Sequence, residues 1–469
     1  MSSLRGRLFR KESRDRYIER DNRFEKTISG GDLIALGIGA VIGTGIFILP
    51  GTVAATKAGP AIILSFVVAA IVCSVAAMCY AEFSSALPVA GSAYSYGNVI
   101  FGELIGWILG WALILEYVLA VAAVSTGWSA YFSSFISGFG LKIPKALSGP
   151  FDPAHGTYIN LVAIIIVCLI AFFLSKGLKS SIRINNAMVI VKIGIIVLFL
   201  IVGAFYVKPT NWHPFLPFGV KGMFQGASTV FFAYLGFDAV SSSAAEVKNP
   251  DRNMPFGIIG TLIIATVLYI GVSVVLTGMV PFTKLNVADP VAFALQAVNQ
   301  NWMAGLLSLG ALAGMTTMMV TMIYSSSRLV YSTGRDGLLP KTLGEVSPHN
   351  HSPLHAMTVV TIVIAILGGL VPLDQLTNLV NIGTLIAFTV VSFGIIPLRK
   401  RKDIPIHGFK VPFCPVLPII SGLLCIFLMT TLSAETWIAS LIWFAFGLLI
   451  YFTYGIHHSQ LAQSDQPKE

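Results

Sequence analysis

The sequence predicts an all-α integral membrane protein with twelve transmembrane helices. The 469-residue chain is 55% hydrophobic and only 11% charged, whereas soluble domains carry about 25% charged residues. The chain also divides into apolar segments close to the length of about 20 residues that a helix needs to cross a bilayer. Together these observations exclude a soluble enzyme, a disordered scaffold and a disulfide-stapled secreted domain.

Twelve segments have the length and the apolar character of membrane-spanning helices. In chain order they cover 31–55, 60–83, 104–134, 158–175, 187–207, 222–240, 256–280, 302–331, 356–372, 377–396, 412–432 and 436–456. The fourth and the ninth are the shortest. An even number of crossings places both chain ends on one side of the membrane.

The positive charges lie unevenly on the two sides of these segments. With a cytoplasmic N-terminus, 23 of the 30 Lys and Arg residues fall inside, 6 fall outside, and Lys192 lies within the fifth segment. Because Lys and Arg accumulate on the cytoplasmic side, we expect a cell-membrane protein with cytoplasmic tails at 1–30 and 457–469. The net charge of +9 is then a topology signal, and no nucleic-acid partner is expected.

The residues that could carry chemistry form no catalytic or metal-binding pattern. The five cysteines lie within or at the edge of apolar segments, without metal-ligand spacing. A membrane enzyme would need a catalytic constellation and a channel would need a pore ring, and neither is visible in the sequence. We therefore expect no enzyme activity, no metal and no cofactor.

Two segments contain residues that disfavour a continuous helix. The first has four glycines within nine residues, and the sixth has a glycine followed by an acid: Gly37, Gly39, Gly43, Gly45, Gly236 and Asp238. Glycine costs about 1 kcal/mol per helix position relative to alanine, and a broken helix is tolerated in a membrane only where it lines a cavity. The alternative is close helix packing through small residues.

The spacing of these two segments favours broken helices in a transporter. They are five segments apart, and because five is odd the second half is inverted relative to the first. Paired glycine-interrupted segments in two inverted halves indicate the central binding site of a transporter.

Three motifs carry a family resemblance: LGIGAVIGTGIF in the first segment, AEFSSALPVAGSAYSYGNVIFGELIGWILGW across the second and third, and FFAYLGFDAVSSSAAEVKNP in the sixth. They resemble the amino acid–polyamine–organocation superfamily, most closely the bacterial relatives of the cationic amino acid transporters. The resemblance covers roughly 30–456. It implies the leucine-transporter-type five-plus-five inverted repeat, with one repeat at 31–207, the other at 222–396 and two accessory helices at 412–456.

The resemblance assigns the substrate site to the two breaks. Free amides at a half-helix N-terminus suit the carboxylate of an amino acid, and freed carbonyls suit its ammonium group. The implied carboxylate site is the backbone of Gly43, Thr44 and Gly45. The implied acceptors for the ammonium group are the backbone carbonyls of Val41, Phe232, Ala233 and Leu235. The residue implied to line the side-chain pocket is Met322. Phe232 also matches an aromatic gate, for which a lipid-facing phenylalanine is the alternative, and a core methionine is the alternative for Met322.

Ionisable residues inside the spans are the candidates for coupling transport to protons. Lys192 has several apolar residues on each side, and a lysine in mid-membrane costs at least about 2.5–3.5 kcal/mol, so it requires a cavity or polar partners. By resemblance it stands where sodium-coupled relatives hold sodium, which implies proton coupling. Glu116 is a second candidate, with a structural pairing as its alternative. For Asp238 a helix-stabilising role is favoured, with a proton relay as its alternative.

These observations predict a proton-coupled amino acid uptake transporter working by alternating access. An amino acid or polyamine exchanger on the same fold stays open. The expected partners are a small amino acid, protons and the lipid bilayer, and a small membrane-protein partner is left open. Since no further acid points into the site, we expect neutral substrates.

Overall fold

The computed structural model describes residues 8–14, 17, 26–89, 91–176, 182–347 and 352–461, with the backbone alone for 182–184. Much of the predicted tails at 1–30 and 457–469 lies outside this description. Within the described part, the regular elements are helices, and the β-type contacts are three isolated bridges. The prediction of an all-α protein is confirmed.

The helices follow the predicted apolar segments, with the first and sixth interrupted. In chain order they are α1 (Gly30–Val41), α2 (Thr44–Phe47), α3 (Leu49–Val53), α4 (Ile62–Ala86), α5 (Ser92–Ile100), α6 (Glu103–Ser137), α7 (Leu161–Ser175), α8 (Ile182–Ala204), α9 (Gly219–Val230), α10 (Phe237–Ser242), α11 (Pro250–Met279), α12 (Pro290–Ala297), α13 (Asn301–Arg335), α14 (Leu354–Leu370), α15 (Leu373–Lys400), α16 (Val416–Thr430), α17 (Ala434–Ile450) and α18 (Ile456–His458).

Several of these helices are suited to a membrane. Among the described residues, seven helices are long and apolar enough to cross a bilayer, and four apolar helices are shorter. The shorter group includes α7 and α14, which correspond to the two shortest predicted segments. The outward face of α17 carries exposed Ile438, Leu441 and Ile442, as expected for a helix that contacts lipid. The protein is therefore a multi-pass membrane protein.

The long helices α6 and α13 form the centre of the bundle. They pack against each other, α15 packs against α6, and α1 packs against α13. Helix α11 packs against both α1 and α4. Because α1 contacts α8, α11 and α13, the interrupted part of the chain is enclosed by other helices.

Both ends of the described chain meet at Glu103, the first residue of α6. Its backbone N–H donates to the carbonyl of Arg10 at 2.9 Å. Its carboxylate accepts bonds from the hydroxyls of Tyr451, at 3.0 Å, and Ser459. Both chain ends therefore lie on one face of the bundle, which we call the tail face and define by residues 8–14, Glu103 and 456–461.

A buried ion pair joins α4 to the end of α15. Arg399 donates two hydrogen bonds to the carboxylate of Glu82, at 2.7 and 2.8 Å, and the backbone N–H of Val411 donates a third at 2.6 Å. The Glu82 side chain is fully buried, and that of Arg399 is 26% exposed. Loss of the guanidinium would leave a buried carboxylate without its counter-charge.

Replacing Arg399 by alanine should lower the free energy of unfolding by about 3–5 kcal/mol, because breaking a buried pair from one side leaves an uncompensated charge. Arg401→Ala is the matched control. Its partner, Asp403, is 57% exposed, so the loss should be at most about 1 kcal/mol. Titration with SDS in mixed micelles, followed by circular dichroism, measures both changes. Equal losses for the two variants would contradict the assignment.

Candidate substrate and proton site

The first broken helix is interrupted at Ile42 and Gly43. Helix α1 ends at Val41, Ile42 is extended, and Gly43 has φ −136° and ψ −132°. The single turn of α2 then begins at Thr44, and the chain bends again at Ile48. The interruption thus begins one residue before the predicted Gly43–Gly45, and Thr44 and Gly45 are already helical.

The second broken helix is interrupted between α9 and α10. The chain forms a 3₁₀ turn at Phe231–Tyr234, continues through an extended Leu235, and reverses at Gly236 with φ +108°. Only glycine adopts that φ at little cost. A Cβ at Gly236 would also lie 3.0 Å from the carbonyl of Ala40, so Gly236 allows the second break to pack on the end of α1.

The two breaks are in direct contact with each other. A Cβ added to Gly45 would lie 2.6 Å from both the Cα and the Cβ of Ala233. The hydroxyl of Tyr269, on α11, lies 2.6 Å from the carbonyl oxygen of Ala233 and 3.1 Å from that of Val41. It has one proton to donate and shares it between two of the predicted ammonium acceptors.

The four glycines of the first predicted segment each allow close contact with a different neighbour. The contacts that a Cβ would obstruct are Gly37 with Thr261 of α11, Gly39 with Asn185 of α8, Gly43 with Met318 of α13, and Gly45 with Ala233 of the second break. Close packing and helix interruption therefore coexist in this segment, although the sequence presented them as alternatives.

Thioethers from α13 cover the predicted substrate site. The sulfur of Met318 lies against Gly43, and the sulfur of Met315 is 3.8 Å from the hydroxyl of Thr44. The terminal methyl of Met322 would be 3.1 Å from a Cβ on Gly236. All three methionines are buried. The surface facing both breaks is thus apolar. It can also change shape easily, because methionine side chains are flexible.

Lys192 lies at the broken end of α1. Its ammonium group donates to the carbonyl of Ile42 at 2.7 Å and is 3.4 Å from the carbonyl of Gly39. The aliphatic part of the side chain passes Gly314, where a Cβ would lie 2.7 Å from its Cε. Only 1% of Lys192 is exposed. A cation is favourable at a helix C-terminus, which explains why a charged residue occupies this position.

The carboxyl groups of Glu116 and Asp238 form a second buried polar cluster and interact electrostatically. Asp238 accepts a hydrogen bond at 3.0 Å from the hydroxyl of Tyr117. The hydroxyl of Thr384 is a further polar neighbour of Glu116, and both acids are fully buried. Asp238 is thus paired with a tyrosine, whereas Glu116 faces Asp238 and Thr384.

The remaining predicted residues are also enclosed. Thr44 is fully buried, and Phe232 and Leu235 are 2% and 1% exposed. The carbonyl of Phe232 accepts a bond from the N–H of Leu235 at 3.2 Å. The structure therefore brings the predicted substrate residues together in a closed arrangement, with Lys192 beside it.

Residues in three further helices contact the breaks and had no distinguishing signal in the sequence. They are Tyr269, Met315, Met318 and Asn381. The amide of Asn381 donates to the carbonyls of Ser228 and Thr229 at 2.6 and 3.3 Å. A tyrosine, methionine or asparagine inside an apolar helix is recognisable as a site residue only when its neighbours are known.

Two touching helix breaks inside an apolar bundle are the arrangement of a membrane transporter, which holds its substrate at interrupted helices. The chain belongs to the amino acid permease family, whose model matches residues 28–454. The family is the one that the sequence motifs indicated.

Three curated relatives illustrate the range of this similarity. The chain is 52% identical to a methylthioribose transporter of Bacillus subtilis, with 93% of the chain and 95% of the relative aligned. It is 48% identical to the branched-chain amino acid permease BcaP of the same organism, over 98% and 100% of the two chains. It is 34% identical to human cationic amino acid transporter 4, over 82% and 61%. These relatives are transporters rather than enzymes, in agreement with the sequence.

Gly45→Ala should destabilise the protein, because its Cβ must displace the backbone of Ala233. Overpacking of this kind costs about 1–3 kcal/mol. Gly194→Ala is the matched control, since a Cβ there meets nothing within 4 Å and alanine gains up to about 1 kcal/mol in a helix. The midpoint of thermal unfolding should therefore fall for the first variant and rise for the second. A rise for both would contradict contact between the breaks.

Proposed function

We propose that the protein imports neutral, apolar amino acids together with protons by alternating access. The proposal rests mainly on one observation: the two helix breaks meet beside a buried lysine that is bonded to the end of α1. Backbone groups and a titratable residue are thus combined in one place, as a coupled carrier requires.

The substrate's two charged ends would bind different parts of the breaks. Its carboxylate would lie at Gly43, Thr44 and Gly45, because the amides in the first turn of a helix lack intrahelical acceptors and favour an anion. Its ammonium group would bind the carbonyls of Val41, Phe232, Ala233 and Leu235, after the hydroxyl of Tyr269 gives way. Because the breaks are in contact, binding requires them to separate, and Phe232 would close over the substrate as a gate.

The side chain of the substrate would lie against Met315, Met318 and Met322. These thioethers offer no charge to a cationic substrate, whereas they adapt to aliphatic groups of different shape. The name of the BcaP relative, a branched-chain amino acid permease, is in keeping with such a pocket.

Protons would be coupled through Lys192, with Glu116 as a second titratable group. The ammonium form of Lys192 holds the broken end of α1, and the neutral amine would hold it less strongly because charge-assisted hydrogen bonds are about twice as strong as neutral ones. Protonation can therefore shift the balance between two conformations. The ammonium group also occupies the carbonyls that a sodium ion would need.

We further propose twelve crossings in the cell membrane, with inverted repeats at 31–207 and 222–396 and accessory helices at 412–456. The tail face would be cytoplasmic. The excess of Lys and Arg on the segments that connect there supports this orientation. The meeting of both chain ends at Glu103 supports the even number of crossings.

A second candidate is the import of methylthioribose, favoured by the name of the 52% identical relative. This thioether sugar would use the methionine surface but has neither a carboxylate nor an ammonium group for the breaks. A further alternative is that the protein exchanges amino acids or polyamines across the membrane, rather than importing a substrate together with protons.

Replacing Lys192 by methionine should abolish accumulation driven by a pH gradient, since methionine cannot bind or release a proton. We expect the initial rate of proton-driven uptake in proteoliposomes to fall by at least about tenfold, which is about 1.4 kcal/mol in barrier height. Exchange of substrate without a gradient should continue. Lys142→Met, in an exposed connection, is the control. Undiminished accumulation by Lys192→Met would contradict the assignment and leave Glu116 as the coupling residue.

Competition for uptake should identify the substrate class. Leucine, isoleucine and methionine should compete, whereas arginine and lysine should not. N-acetylleucine and leucine methyl ester should each bind about tenfold to a hundredfold more weakly, because each loses charged hydrogen bonds worth about 1.5–3 kcal/mol. Competition by methylthioribose but not by leucine would favour the second candidate.

A further inference from the structure

Between residues 185 and 204, the buried face of α8 carries two polar residues, Asn185 and Lys192. The other members of this face are apolar: Val189, Ile196 and Phe199. Residues seven positions apart lie on the same side of a helix, about 10 Å apart along its axis. Asn185 therefore lies two turns nearer to the start of α8 than Lys192 does, on the side that packs against α1.

Asn185 packs closely against α1, but this contact leaves part of its hydrogen-bonding capacity unused. A Cβ at Gly39 would lie 2.9 Å from its Oδ1, and the carbonyl of the same Gly39 is 3.4 Å from the ammonium group of Lys192. Asn185 is only 7% exposed, and its Nδ2 has no hydrogen-bond partner among the described residues. An unsatisfied buried donor costs about 1–3 kcal/mol, and in proteins such donors commonly bond to buried water.

The polar series continues to the start of α1. The amide of Asn186 donates to the carboxylate of Asp32 at 3.0 Å, and Asp32 lies in the first turn of α1, where it is half-buried. The polar groups Lys192, Gly39, Asn185, Asn186 and Asp32 thus follow one another along the contact of α1 with α8.

The charged groups near this polar series lie at its Asp32 end, so the stretch next to Lys192 is lined by uncharged groups. Lys192 makes no ion pair within the described residues. Asp32 is the acid on α1 and has Lys248 as a charged neighbour. Asp251 and Arg252 lie in the first turn of α11, and α13 presents no charged residue before Arg328. The side chain of Arg183 lies outside the description. A proton leaving Lys192 therefore meets amides, and a carboxylate only at the end.

We propose that Asn185 is a positioning residue in a hydrated path that takes the proton from Lys192 along the α1–α8 contact to the surface near Asp32. The inference rests on the proposed proton coupling. In the step, the ammonium group gives one proton to a water molecule held by the Asn185 amide and becomes a neutral amine. The proton passes through water to the bulk solvent, so that charge and atoms balance.

The test compares Asn185→Leu with Asn185→Ser, which keeps a hydrogen-bonding group. In proteoliposomes, Asn185→Leu should slow proton-driven uptake by about tenfold or more, while substrate exchange without a pH gradient stays within about twofold of the wild type. Asn185→Ser should recover most of the proton-driven rate. Unchanged proton-driven uptake in Asn185→Leu would overturn the inference, and so would an equal loss of exchange, which marks a packing role.

A second measurement separates this inference from the proposed function. A wild-type protein without proton-driven uptake would overturn the coupling, whatever Asn185 does. The path itself is probed by Asn185→Cys, which a water-soluble thiol reagent should modify while Val191→Cys, at a half-exposed apolar position, reacts much more slowly. Equal and slow reaction of both cysteines would overturn the hydrated path.

Discussion

The structure depends on one constraint: an interrupted helix inside an apolar bundle must find partners for the backbone groups that it releases. Here the partners come from three surrounding helices. Lys192 of α8 binds the carbonyl of Ile42, Tyr269 of α11 joins the two breaks, and Asn381 of α15 bonds to the end of α9. The breaks are therefore held by the bundle around them, and a shift of any one helix changes their hydrogen bonding.

The positions of the breaks could be predicted because their cause is local. Glycine costs free energy in any helix, so the clusters near Gly43 and Gly236 mark weak points without knowledge of the fold. The partners could not be predicted in the same way. Tyr269 and Asn381 lie in otherwise ordinary apolar helices, and their roles arise only when those helices pack against carbonyls far away in the sequence.

Close packing explains more of the first segment than interruption does. Ile42, Gly43 and Ile48 leave the helix. Yet Gly37 and Gly39 also touch neighbouring helices, where an added Cβ would overlap Thr261 and lie 2.9 Å from Asn185. The sequence pattern alone cannot divide these roles, because both require the same small residue.

The composition did predict the fold class, since a chain with 11% charged residues has too few to cover a soluble surface. Twelve crossings and the inverted repeat stay predictions.

In the proposed cycle, the chemistry of these partners decides which contact yields first. The bond from Lys192 to α1 is charge-assisted and loses about half its strength when the ammonium group gives up a proton. The bonds from Tyr269 to Val41 and Ala233 join neutral groups and are not altered by that step. Loss of the proton therefore loosens α8 from α1 while the two breaks remain joined to α11. A single titration would free one helix and leave the rest of the site intact, which is how a local proton transfer can select one conformation of the whole bundle.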